Sequence, residues 1–305
     1  HDAFKKIMQH PLLQSPEKAL SFHSLYNYYR SLNAYYFMTD DHQKAYDYMK
    51  ALYDLMHKNP HFIEHYLMQY KTVLSSLISC EMDVKKYNDA LAHINEFRSL
   101  NIGSRLWEVE KFYVSGLFEL GIYITQGDFH KANNYVEKNK ETIIGSQEDP
   151  SINEPRMILQ YLAAYSYFAN EKYSLALRTV NRILHLPDKG HRSDVLGFAR
   201  ILHLIICYEK QDEELIEYAF KSVYRYLSKK GQLYKFETAI LLFVRKMPKL
   251  TSEKLVNEAF RSLKKEIESL LKDPMEKRVL TYFDFIAWLE SKIENKPFAK
   301  MVKGN

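Results

Sequence analysis

An all-α fold, built from antiparallel helical hairpins stacked one after another, is what the sequence predicts, and three observations carry that expectation. The first is a recurring signature: a ring-bearing residue three positions before an alanine, at His42 and Ala45, Tyr87 and Ala90, Phe129 and Ala132, and Tyr173 and Ala176. The alanines are 45, 42 and 44 residues apart, far longer than a helical turn and shorter than a domain, which marks a repeated supersecondary unit. The second is composition. Only 9 Gly and 9 Pro occur in 305 residues, too few for a turn-rich sandwich or barrel, while the abundant Leu, Lys, Glu and Ala favour helices. The third is regular punctuation, with helix-start and helix-stop residues falling between apolar stripes.

In chain order, Ser15-Pro16-Glu17 reads as an N-cap, a proline at the first helical position and a first-turn acid. A helix is expected from there to Met38, because Leu20, Leu25, Tyr29, Leu32 and Tyr36 recur at three to five residues. Thr39-Asp40-Asp41 closes it and caps a second helix carrying Ala45, Met49, Leu52 and Leu55, which Asn59-Pro60 ends. Further hairpins are expected at 61–82 with 84–100 and at 104–126 with 128–144, Gly127 closing one helix and Asp128 capping the next. The polar stretch from Gly145 to Pro155 is the longest linker. Beyond it the pattern places 155–170 with 172–186, ended by Pro187, then 191–210 with 212–229 and 232–247 with 251–272. Asp273-Pro274 opens a last helix, 274–295, with Val279, Phe283, Ile286, Leu289 and Ile293 on one side. Being unpaired, it is expected to cap the exposed apolar face of the last unit. Residues 1–305 are thus expected to form a single helical domain of about six hairpins and a cap, with clearer repeats over 16–187 and degenerate ones over 191–272.

Charge and motifs narrow the function. The 43 basic and 38 acidic residues leave a net charge of +5 and are spread along the chain, with no block beyond pairs such as Lys85-Lys86, Lys229-Lys230 and Lys264-Lys265. A nucleic-acid partner is therefore not expected. Cys80 and Cys207 lie in apolar helical contexts and read as buried free thiols of a reducing compartment, which makes a cytoplasmic location the expectation. The best apolar run, Phe198 to Cys207, is interrupted by Arg200 and His203 and falls short of the ~18 residues a membrane span needs. Since the sequence begins at His1 rather than Met, a further upstream segment is expected. No Gly-x-Gly, no Gly-Lys-Ser/Thr and no nucleophile elbow is present. His57, His61 and His65 recur at one-turn intervals, yet no Cys or acid pair completes a zinc site, and Asp40-Asp41 is explained by capping. An enzyme, a metal and a cofactor are accordingly not expected.

The unit around Ala176 is the clearest. Its first helix carries Gln160, Ala163, Ala164 and Tyr167, and its second Tyr173, Ala176, Val180 and Ile183, with Pro187 following. This pattern resembles the tetratricopeptide repeat, in which small residues let two helices approach while rings fill the space beside them. Tyr123, Gly127 and Phe129 fit the same frame, as do Tyr29, Leu32, Asn33 and Tyr36. The repeat here is 42–45 residues rather than the family's usual length of about 34, so its helices or turns are longer. The resemblance implies a right-handed α-solenoid whose concave face, lined by the first helix of each hairpin, captures a protein or peptide.

On that implication Tyr161, Tyr165 and Phe168, spaced i, i+4, i+7, form an aromatic trough for an extended peptide or an amphipathic helix, with Arg30, Phe37, Leu117 and Ile124 at corresponding positions elsewhere. The same three rings are also explained by packing against a neighbouring repeat. The family's carboxylate clamp is absent, since Ala34 follows Arg30 where Asn is wanted, and Tyr165 follows Tyr161. The expected function is a non-enzymatic scaffold for a protein or peptide partner. The alternative is a ligand- or peptide-sensing regulatory domain of a larger protein.

Overall fold

A computed structural model describes residues 8–145, 153–186, 192–231, 233–247 and 250–302. Every element among them is an α- or 3-10 helix, and none is a strand. The chain divides into two compact units, His1–Ile122 and Tyr123–Asn305. The first contains α1 (Phe22–Met38), α2 (His42–His57), α3 (Pro60–His65), α4 (Leu67–Asp83), α5 (Tyr87–Ser99) and most of α6 (Arg105–Thr125). In it α1 packs on α2, α2 on α4 and α4 on α5. Leu52, Met56, Leu74, Leu77 and Ile94 fill the space between them and are fully or almost fully buried.

The second unit contains α7 (Phe129–Lys138), α8 (Lys140–Ile144), α9 (Asn153–Ala169), α10 (Tyr173–Leu184), α11 (Ser193–Glu209), α12 (Glu213–Lys230), α13 (Lys235–Lys246), α14 (Glu253–Leu270), α15 (Pro274–Lys277), α16 (Phe285–Glu294) and α17 (Phe298–Met301). Here α9 packs on α10, α10 on α11, α11 on α12, α13 on α14, and α14 on α16. Ala163, Ala164 and Ala176, small residues at the α9–α10 seam, are completely buried. Among the described residues no helix is long and apolar enough to cross a membrane.

The ring-and-alanine signature coincides with one backbone turn that, among the described residues up to 212, recurs at five positions. Asp40, Lys85, Gly127, Glu171 and Gln211 each close a helix in the left-handed region, with φ of 59°, 62°, 70°, 58° and 56°. The next residue then donates its N–H to the carbonyl five positions back: Asp41 to Tyr36 (3.0 Å), Lys86 to Glu81 (2.8 Å), Asp128 to Tyr123 (2.8 Å), Lys172 to Tyr167 (2.9 Å) and Asp212 to Cys207 (3.4 Å). This is the Schellman arrangement, which satisfies carbonyls that a helix end leaves free. The same residue starts the next helix, and at Asp41, Asp128 and Asp212 its carboxylate also accepts from the third N–H onward. The fifth turn extends this local regularity to residue 211, into the stretch where side-chain identities are degenerate.

Only one of the five positions is glycine, although the left-handed region penalises every residue with a Cβ. Lys85→Gly is therefore expected to stabilise the protein by about 0.5–1 kcal/mol, the strain relief exceeding the entropy that glycine adds to the unfolded chain. A higher urea midpoint with an unchanged slope is the measurement that checks it. Lys85→Val should move the midpoint the other way.

Several expected boundaries shift. Ser15 caps only a 3-10 turn, Pro16–Lys18; Ala19 is extended, and the first long helix begins at Phe22 with Ser21 as its cap, accepting from Ser24 N at 3.2 Å. Leu20 consequently stands 93% exposed instead of joining the buried stripe. The helix expected at 61–82 breaks at Tyr66 and the one at 128–144 breaks at Asn139, each with a non-helical backbone. Most of the Gly145–Pro155 linker and the Pro187–Gly190 stretch lie outside the described residues.

The expected capping helix, 274–295, is instead α15, a 3-10 turn (Arg278–Thr281), an irregular Tyr282–Asp284 and α16. Asp284 ends the continuity because its carboxylate caps a new helix, accepting from Ala287 N at 2.9 Å. Cys80 and Cys207 are free and buried, and burial pushes both thiols up to about 11.

Candidate functional site

The residues singled out by sequence separate into two groups. Arg30 and Phe37 on α1 are exposed, Phe37 by 50%, and Leu117 and Ile124 on α6 are half-buried. Tyr161, Tyr165 and Phe168 do share one face of α9, but that face is not an open trough. They are 3%, 5% and 1% exposed. What covers them is the C-terminal segment of the same chain, from Tyr282 to Phe298. This corrects the expectation of a solvent-facing binding surface on α9. Three large rings on one helix face are buried where a complementary apolar segment exists, and the chain supplies one.

The segment is held by two kinds of contact. Its main chain is addressed by the tyrosine hydroxyls: Tyr161 Oη donates to the Tyr282 carbonyl at 3.1 Å, and Asp284 N donates to Tyr165 Oη at 3.2 Å. Its side chains enter aromatic surroundings. Phe283 lies 5.0 Å from the Tyr165 ring and 5.3 Å from that of Phe168, and it stacks on Phe298, which in turn reaches Phe129 of α7 at 5.9 Å. Tyr282 stacks on Phe198 of α11 at 4.0 Å, and Phe285 meets Phe236 of α13 at 4.6 Å. Trp288 is fully buried among Tyr208, Phe243 and Phe260, from α11, α13 and α14. Burying each such side chain stabilises by roughly 1.5–3 kcal/mol, so this is a firm attachment.

Polar groups fix the register. Trp288 Nε1 donates to Glu209 Oε1 at 2.7 Å, and Lys292 pairs with the other oxygen of the same carboxylate. Lys264 meets Glu290 at 2.8 Å. Tyr282 Oη donates to Asp194, and burial followed by this carboxylate pushes the phenol up to about 12. Burial also raises the Tyr161 and Tyr165 phenols, so both stay neutral hydrogen-bonding groups at physiological pH. Upstream, the Glu276 carboxylate accepts from Lys235 N and Phe236 N, satisfying donors at the start of α13.

In the first unit, α2, α4 and α5 assemble a polar network that the sequence did not reveal. Tyr53 Oη donates to Glu96 Oε2 at 2.8 Å, Tyr70 Oη donates to the other Glu96 oxygen, and His57 Nε2 lies 2.8 Å from Tyr70 Oη. Beside it the completely buried Glu81 receives His93 Nδ1 at 2.9 Å. These groups are hydrogen-bonded to one another, and His61 and His65 stay on the surface. Among the described residues no group of three or more His, Cys, Asp or Glu is placed to hold a metal ion.

In the sequence the C-terminal segment reads as the apolar stripe of a capping helix, with no sign of which rings it meets. The one signal for more was density of rings: Tyr282, Phe283, Phe285 and Trp288 fall within seven residues. No protein-family model and no curated protein matches this chain.

Proposed function

We propose that this chain is a non-enzymatic protein- or peptide-binding module, a tetratricopeptide-like array whose second unit recognises a linear segment along α9, α11, α13 and α14. The observation that carries the reading is how Tyr282–Trp288 is seated. Tyrosine hydroxyls engage the main chain while separate ring clusters take Phe283, Phe285 and Trp288, a division of labour typical of linear-peptide recognition. The five recurrent turns support the array, and the exposed Arg30 and Phe37 remain available to a partner of the first unit.

The occupant being the chain's own segment favours the regulatory alternative over a constantly open scaffold. A partner that binds the same rings would have to release residues 278–302, and its differential affinity for the two states would set the switch.

The test uses the folded protein with a protease site inserted between Lys272 and Asp273. After cleavage, a labelled peptide of residues 273–305 is added in excess and its exchange into the protein is followed by fluorescence anisotropy. The peptide is expected to enter, and its Trp288→Ala version to bind at least about tenfold more weakly. Equal binding of the two peptides, or no exchange while the protein stays folded, would overturn the reading.

A further inference from the structure

On another part of the second unit, α9 and α10 border an open surface groove of about 710 Å³, in which Arg178, Arg182 and His185 are exposed. Arg156, Arg178, Arg182 and His185 line it, with Leu177 and Leu186 as apolar wall, and no carboxylate is among the described lining residues. Arg178 and Arg182 stand one turn apart on α10, and His185 follows one turn later, so the three share a helix face. Like charges at this spacing oppose each other and weaken the helix.

Elsewhere in the unit such cations are offset by acids, as Arg192 is by Asp194, Lys264 by Glu290 and Lys292 by Glu209. Arg178 and Arg182, by contrast, form no ion pair with a described acid. Arg182 is anchored by donating from Nη1 to the Ile144 carbonyl, and Arg156 Nη2 donates to Asn153 Oδ1 at 2.8 Å, which restrains both guanidinium groups. Lys210 Nζ adds positive charge at the rim through Ser174 Oγ, 3.1 Å away. His185 Nδ1 lies 2.6 Å from the Asn181 carbonyl; since a carbonyl only accepts, Nδ1 carries a proton, and Nε2 is left for another partner.

We propose that this groove binds a small organic phosphate. The planar forks of Arg178 and Arg182 match phosphate oxygens, His185 Nε2 adds a further hydrogen-bonding atom, and Leu177 and Leu186 receive the carbon skeleton. A bound phosphate would add a countercharge that no described acid gives Arg178 and Arg182. The site is separate from the one filled by residues 282–298, so its failure leaves the peptide-binding reading untouched.

The experiment is isothermal titration of the full chain with inorganic phosphate and with phenyl phosphate, at constant ionic strength held by chloride. Both probes are expected to bind, phenyl phosphate more tightly. Arg178→Ala, on an exposed side chain, is expected to weaken both by about tenfold, the usual cost of one charge-assisted partner. Arg178→Lys should recover part of the loss, and Lys229→Ala, remote in sequence and also exposed, should change neither. Binding that persists in Arg178→Ala, or no binding beyond the chloride control, overturns the site. Equal affinity for the two probes overturns the organic part of the ligand.

Discussion

Trp288→Ala is expected to destabilise the second unit by about 3–5 kcal/mol, the range for removing a fully buried tryptophan. The loss has two sources. The cavity left among Tyr208, Phe243 and Phe260 cannot close without moving three separate helices. In addition, Glu209, whose side chain is 6% exposed, loses the indole N–H and keeps only Lys292 as partner. The two tryptophans make the measurement clean, since Trp107 lies in the first unit and Trp288 in the second. Urea unfolding followed by circular dichroism, with Trp107 fluorescence as a separate probe, should show the far-ultraviolet transition move to lower urea. Leu280→Ala, at a residue 38% exposed, is the control and should cost under about 0.5 kcal/mol. A loss that small at Trp288 would mean that the segment does not rest on these rings.

The second large effect is expected in the first unit at the Glu81–His93 pair. Removing the imidazole in His93→Ala leaves a carboxylate that is 0% exposed without its partner, which costs about 3–5 kcal/mol. Replacing both groups, Glu81→Met with His93→Leu, should be less damaging than His93→Ala alone, because an apolar pair of similar volume needs no countercharge.

The pair also sets a pH dependence. Its hydrogen bond to Glu81 raises the His93 pKa above the usual histidine value, with burial opposing the shift. The resulting stabilisation is fully present below about pH 6.5 and is lost as pH rises through the raised folded value. The second unit has the opposite sign. Burial, with Arg200 nearby, pushes His203 down to about 4, so stability there is lost as pH falls from about 6.5 towards 4. Denaturation curves at pH 5 and pH 8, read by Trp107 in Trp288→Phe and by Trp288 in Trp107→Phe, should shift in opposite directions.

Particular residues show what could be read in advance. Asp41, Asp128 and Asp212 were legible as helix starts because capping is local: the carboxylate and the N–H it satisfies are three residues apart. Asp284 belongs to the same class, yet the apolar stripe from Val279 to Ile293 reads as one helix and masks the cap within it. Tyr66 and Asn139 interrupt helices for which no proline or glycine gives warning.

At the candidate site the face shared by Tyr161, Tyr165 and Phe168 follows from helical spacing alone. That Tyr282 and Asp284 meet two of these hydroxyls, 121 and 119 residues away, does not. The Glu81–His93 and Glu96–Tyr70 contacts were hidden for the same reason, each joining different helices.

The sequence by itself determined the all-helical character of the described residues and the 42–45-residue beat, because helix formation and capping act over a few neighbouring residues. Only the tertiary structure decided what covers the aromatic face of α9. Rings of similar size and hydrophobicity are interchangeable in a linear pattern, and the hydrophobic effect has no direction of its own. Which segment they bury is fixed by shape and by a few specific hydrogen bonds, here the tyrosine hydroxyls to the main chain of Tyr282–Asp284 and the Trp288 indole to Glu209.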